Sequence, residues 1–336
     1  MMVIPKIQYS FGIIDWPQFE INKIDILTRK LLAQYKIFYK DQSHARLYIP
    51  RAKGGMGLIE VDASHKATII SLAQYIVSGR GPYAEILQKH YSTNTQKSLI
   101  NLAQTFLAPE KLEGPEINPT KAARQSRRKF VQKRQKENAT DWRNNKRAGN
   151  FAKRIDENID KDKSFEWLKR GVLNFDGERI ILAAQDDGLL TNALKKIFKL
   201  TTNDKCRFCF EKVETVNHLL SGCPKLLGEG WYTIRHNKVC RAIHWRLCQE
   251  YGFNTHDVSW KHEPQPHMEN ERARLTYDVI IPTARHIANG AVKPDILLMD
   301  KTTGKGYMID VCVPNDFQIE TQERRKVVKL KRETTT

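Results

Sequence analysis

The stretch KPDILLMDKTTGKGYMIDVCVPND, residues 293–316, decides how the last part of the chain folds, because it reads as a β-hairpin that sets Asp295 and Asp310 near facing positions. Two carboxylates held on adjacent strands can grip a divalent cation, which points to metal-assisted phosphodiester hydrolysis. The plainer alternative is a surface hairpin with polar ends. The rest of the sequence has to choose between them.

Charge is the strongest global signal. Over 336 residues, 56 Lys and Arg face 38 acids, for a formal net charge of +18 and a pI near 9.6. Such an excess favours a polyanionic partner, nucleic acid first. No apolar run approaches the ~20 residues that a membrane span needs, and Met1 to Pro5 leads into a mixed polar segment without the pattern of a signal peptide. The expectation is an intracellular protein with no membrane partner. Six cysteines are too few for a disulfide scaffold, and three of them fall within residues 206–223. Clustered thiols in a reduced compartment point to metal.

The charge is concentrated. Between Lys121 and Arg154 stand thirteen Lys or Arg against two acids, Glu137 and Asp141. Apolar residues are nearly absent there, so the segment is expected to be disordered, or a helix solvated all round. Phe130, Trp142 and Phe151 are interleaved with the cations, a pattern that permits stacking on bases, while a plain solvated charge run that serves nuclear import fits equally. Arg127, Arg128, Lys129, Lys133 and Arg134 are the candidate phosphate contacts. LAPEKLEGPEINPT, residues 107–120, reads as a boundary ahead of them.

Before that boundary the pattern is mainly helical. Phe19, Ile21, Ile24, Leu27, Leu31, Leu32 and Tyr35 recur at steps of three and four, with Asp15 and Pro17 placed as a helix start. RLYIPRAKGGMGLIEV then predicts a hairpin, with runs Arg46–Pro50 and Gly57–Val61 joined across turn glycines. Helix resumes over residues 63–77, with Asp62 as its expected N-cap.

Further on, CRFCFEKVETVNHLLSGC sets Cys206, Cys209, His218 and Cys223 as C-x2-C-x8-H-x4-C, four soft or borderline ligands suited to tetrahedral zinc. Cys240 and Cys248 lie eight residues apart on one face of the helix IRHNKVCRAIHWRLCQEYGF, where core packing is expected. Arg235, His236, Lys238, Arg241 and Arg246 make that helix basic, open to a DNA-facing role or a solvated face; Arg235 and His236 are its candidate nucleic-acid contacts.

Several of these residues together resemble a known family. IDILTRKLLAQYKIFYKDQSHARLYIPRAKGGMGLIEV is similar, at Asp25, Thr28, Arg29, Lys30, Arg46, Leu47, Tyr48, Pro50, Arg51, Gly54, Gly55, Gly57 and Leu58, to the thumb of non-LTR retrotransposon reverse transcriptases. Met56 stands where that family usually has Arg. The likeness resumes at SFEWLKRGVLNFDGERIILAAQDDGLLT and runs nearly to the last residue. The order of the Cys and His ligands matches the CCHC knuckle that precedes the restriction-like endonuclease in one branch of the family.

In that branch the nuclease resembles the PD-(D/E)xK class, which implies that Asp295 and Asp310 hold Mg²⁺ while a lysine assists the water. The position two after the second acid is Cys312. The family instead carries its lysine on the following helix, here QERRKVVKLKRE, where Lys326 and Lys329 match and Arg325 and Leu330 depart from the pattern. Asp278, after Tyr277, and Glu271, expected on a preceding helix, are further candidate acids.

No aromatic-x-Asp-Asp turn for a polymerase palm occurs; the one Asp-Asp pair is Asp186-Asp187. The expected fold is therefore α+β: a helical thumb-like region with a hairpin (1–106), a basic linker (107–165), a pre-knuckle helical region (166–200), a CCHC zinc knuckle with its helix (201–260) and an incomplete PD-(D/E)xK-like α/β nuclease domain (261–336). The resemblance implies a truncated element protein that binds element RNA and target DNA, takes Zn and Mg, and works in the nucleus after synthesis in the cytoplasm. Its nuclease would nick DNA for target-primed reverse transcription. The alternative is a catalytically inactive, zinc-dependent nucleic-acid-binding remnant.

Overall fold

The computed structural model describes residues 3–39, 41–92, 98–114, 118–155, 159–282, 291–315 and 318–334, with side chains in the last helix as far as Val328. The chain is α+β and divides into two compact units, 1–189 and 190–336. Among the described residues no helix is long and apolar enough to cross a membrane.

The first unit is helical. Its main elements are α1 (Gln18–Gln34), α2 (Val61–Ser78), α3 (Leu99–Leu107), α4 (Pro119–Asn144) and α5 (Phe175–Gln185). Helix α2 is the hub: Ile69, Ile70 and Ala73 bury against Ala103 of α3, and Val61 buries with Phe11 and Ile21. The expected cap of α2 is corrected. Its first N–H groups are capped from a distant helix, where buried Asp25 accepts from Val61 N at 3.0 Å and Asp62 N at 3.1 Å. Asp62 lies in the first turn and pairs with Lys66 instead.

The basic segment is also corrected. It forms the 26-residue helix α4, capped by Asn118 with proline in its first turn, and it is not solvated all round. Small residues let one face approach α2: Ala122, Ala123 and Ser126 are buried, and Phe130 packs against the α2–α3 cluster. Trp142 is only 3% exposed and packs with Ile49 and Ala152, so its ring is not offered to a base, while half-buried Phe151 lies against it. The preponderance of cations in this segment conceals a narrow face of small and aromatic residues that suffices to dock it.

No strand forms over Arg46–Val61. The chain makes a five-residue helical turn, His44–Tyr48, then a single turn Arg51–Lys53 after Pro50. It doubles back through Gly54 and Gly57, at φ +87° and +72°, values that side-chain-bearing residues rarely adopt. Met56 N then donates to Arg46 O and Leu58 N to Leu47 O. The reversal was legible, but Arg46 is 1% exposed and a flat hairpin cannot wrap its guanidinium. Arg46 donates to Gly54 O at 2.8 Å, Leu182 O at 3.0 Å and Asp186 Oδ1 at 2.8 Å, and lies over the Trp142 ring.

The second unit carries α6 (Trp231–Tyr251), strands β1 (His267–Glu269), β2 (Ala273–Tyr277), β3 (Ile296–Asp300) and β4 (Lys305–Ile309), and α7 (Ile319–Thr334). The strands form an antiparallel sheet in chain order. Ala273, Leu275, Ile296 and Leu298 alternate onto one face and bury with Cys248 of α6. Glu271 sits in the turn between β1 and β2, not on a helix.

Candidate functional site

Strand register builds the site. Tyr277 of β2 pairs with Ile296 of β3, which pairs with Ile309 of β4. The next row therefore holds Asp278, Asp295 and Asp310, at the same end of three neighbouring strands. Asp278 N donates to Asp295 O at 2.9 Å, which continues the ladder by one bond; Asp278 itself has φ +53°. A third acid thus joins the two that the hairpin pattern singles out. The signal was register, which becomes readable only once β2 is known to pair with β3.

Each acid has a fixed partner. The Asp295 carboxylate accepts from Val311 N at 2.6 Å and lies 3.3 Å from His236 Nε2. Asp310, whose side chain is 6% exposed, accepts from Lys326 Nζ at 2.5 Å; the same ammonium donates to Val311 O at 3.2 Å. Asp278 pairs with Lys293 at 2.9 Å. Helix α7 thus returns Lys326 to the hairpin's open end. The side chain of Lys329 lies outside the described residues.

Helix α6 closes the same region. His236 and Cys240, one turn apart, place their ligand atoms within 4.8 Å of an Asp295 oxygen. Burial, then the carboxylates of Asp295, Asp278 and Asp310, push the Cys240 thiol up to about 11, so it is a neutral thiol at physiological pH. Arg235 is committed to backbone, donating to Leu220 O at 2.7 Å and Val313 O at 3.0 Å. His236 Nε2 lies 3.2 Å from Val311 O, so both candidate nucleic-acid contacts of α6, each half-buried, also brace the chain that follows β4.

The cysteine cluster converges as its spacing predicts. Ligand atoms of Cys206, Cys209, His218 and Cys223 all lie within 4.8 Å of one another, with Cys206 and Cys223 fully buried. The first pair sits on a tight turn in which Phe210 N donates to Cys206 O and Phe208 N to Cys206 Sγ. His218 opens a wide π-type turn, His218–Gly222, that delivers Cys223. The backbone N–H of Lys212 chiefly, aided by Glu211 N–H and the His218 ring, holds the Cys209 thiol down to about 6, the form a cation needs. Buried Glu214, overlooked in the sequence, grips Arg207 with both oxygens and accepts from the N–H groups of Asn192 and Arg207, fixing the turn from outside. This donor set suits a metal such as zinc.

In the first unit the basic side chains of α4 differ in what they hold. Arg134 makes a two-pronged pair with Glu60, at 2.7 and 2.9 Å. Lys129 and Lys133 make exposed pairs with Glu113 and Glu110. Arg127 and Arg134 line a cleft of about 600 Å³ together with Tyr48, Arg51 and Asn138. No protein-family model matches the chain, and no curated protein matches it either.

Proposed function

We propose that the chain is the C-terminal part of a non-LTR retrotransposon reverse transcriptase that binds nucleic acid with the help of a zinc knuckle and nicks DNA in a metal-dependent way. The observation that carries this reading is the return of Lys326 to Asp310 beside Asp295, since neither spacing nor composition obliges a helix after the hairpin to bring a lysine there. Hard carboxylate oxygens on adjacent strand ends fit Mg²⁺, which when bound supplies charge stabilisation and an activated water. The chain's own groups do the positioning. Val311 N–H fixes the Asp295 carboxylate, and Lys326 orients Asp310 and offsets negative charge that builds on phosphate oxygens.

In this reading Cys206, Cys209, His218 and Cys223 hold zinc, and the exposed cations of α4, Arg128 and half-buried Arg127 among them, contact phosphate. Lys129 and Lys133 join them by exchange, because exposed ion pairs are worth only ~0–1 kcal/mol. A second reading, an inactive binding remnant, draws on the direct Lys326–Asp310 pair, which neutralises one of the two acids.

Plasmid nicking in Mg²⁺ or Mn²⁺ separates them. Supercoiled DNA should become open circles with the native chain and remain supercoiled with Asp295→Asn or Asp310→Asn, while salt-sensitive binding persists in all three. Binding without nicking at any divalent concentration selects the remnant. Loss of both sinks the retrotransposon reading altogether.

A further inference from the structure

Helix α6 repeats a pattern. His236, Cys240, His244 and Cys248 follow one another at steps of four, so a single face of the helix carries alternating imidazoles and thiols. The first pair borders Asp295. The second pair meets His262, which follows the short turn Ser259–Lys261, and here ligand atoms of His244, Cys248 and His262 lie within 4.8 Å of one another. All three are buried, at 0%, 0% and 5% exposure.

The polar atoms of this cluster are oversubscribed at one point. His244 Nδ1 lies 2.8 Å from His262 Nε2 and 3.4 Å from Cys248 Sγ. A ring nitrogen has one lone pair or one hydrogen, and therefore one in-plane bond to give. Two groups aim at it. The thiol can instead donate to the Met268 sulfur at 3.8 Å, but the second ring nitrogen of His244, Nε2, is buried with no hydrogen-bond partner among the described residues, in a site walled by Tyr277, whose ring meets His244 edge-on, and by Met268. The outer nitrogen of His262, Nδ1, is 2.8 Å from Thr255 Oγ1. That is the arrangement of a metal-bound imidazole, which donates its second N–H to a fixed acceptor.

We propose that His244, Cys248 and His262 form a second zinc site, distinct from the cysteine knuckle. Two imidazoles and a thiolate are borderline to soft donors, which take Zn²⁺ readily and leave a fourth position for water or for the Met268 thioether, whose sulfur is 3.8 Å from Cys248 Sγ. On binding, the Cys248 thiol loses its proton to solvent and the three lone pairs share one cation. The role is structural. Between Gly252 and Pro266 the chain has only the three-residue turn Ser259–Lys261 as regular structure, and His262 would pin it to α6.

Cobalt titration of the metal-free full chain tests this. Co²⁺ bound to thiolate gives a charge-transfer absorption that scales with the number of sulfurs. The expected result is two equivalents, one with roughly three sulfurs' worth of intensity and one with about a third of that. The weaker component should persist in Cys206→Ser/Cys209→Ser. In Cys248→His it should vanish while the second equivalent of metal, counted by atomic emission, is retained, because His keeps a ligand and removes the sulfur. His262→Ala should release that equivalent. Only one equivalent in the native chain, removed by the knuckle substitutions, overturns the proposal. So does a second equivalent whose spectrum is indifferent to Cys248→His, or one that survives His262→Ala.

Discussion

Asp186 in the first unit and Asp310 in the second each pair with a basic side chain at hydrogen-bond distance, yet the two pairs answer different needs. Asp186 is fully buried and saturated: Arg46, Trp142 Nε1 at 2.9 Å and Ser43 N at 3.2 Å all donate to it. Its guanidinium partner also holds two backbone carbonyls. Asp310 stands at a strand end in a row of acids, and its lysine remains 28% exposed. A buried, saturated pair ties segments together. A partly exposed pair beside other acids leaves charge within reach of a ligand, whereas Asp186 of the Asp-Asp motif falls in the first class.

The largest expected effect tests the first class. Asp186→Ala leaves the Arg46 guanidinium buried without its charge partner and Trp142 without an acceptor, and should destabilise the first unit by about 3–5 kcal/mol. Urea unfolding followed by Trp fluorescence reads it, and a loss under ~1 kcal/mol would mean that the node is not structural. Burial pushes the Asp186 carboxyl up even with Arg46 beside it, which identifies desolvation as the dominant cost the node has to offset.

Next comes the second class. Asp295→Asn should reduce nicking on the order of a thousandfold, equivalent to several kcal/mol of lost charge stabilisation, without lowering the unfolding midpoint. Lys326→Ala should cost about a hundredfold, and Lys326→Arg should recover part of it, because a cation at that place is what Asp310 and the phosphate require. A large stability loss with either substitution would move Asp310 into the class of Asp186.

How much of this was legible differs between the same two places. The convergence of Cys206, Cys209, His218 and Cys223 was readable because the four residues are local in sequence, at a spacing that suits one tetrahedral ion. Asp295 and Asp310 were readable because a hairpin sets its own register. Asp278 stood out only as a further candidate through the family resemblance, since its place in the row depends on β2 meeting β3. The role of Asp186 was hidden too, because its partner Arg46 lies 140 positions away. The fate of α4 was misread for a compositional reason: Ala122, Ala123 and Ser126 add almost nothing to a segment's overall hydrophobicity, yet small side chains are what let a helix pack closely.

The smallest effect sharpens the contrast within α4 itself. Arg134, gripped in two places by Glu60 and one-third exposed, behaves like the buried class, and Arg134→Gln should cost about 1–2 kcal/mol of stability. Lys133 behaves like the available class; its exposed pair with Glu110 should be worth under ~1 kcal/mol, so that Lys133→Gln leaves stability nearly unchanged. For DNA binding the order reverses. Arg127→Gln/Arg128→Gln should flatten the slope of log K against log salt by about two, roughly one for each phosphate no longer neutralised, whereas Arg134→Gln should leave it in place at temperatures where the unit is folded. Titrating a fluorescent duplex between low and moderate salt gives both slopes. Equal slopes for all variants would make α4 a packing helix whose surplus charge is solvated, and would leave nucleic-acid binding to the second unit.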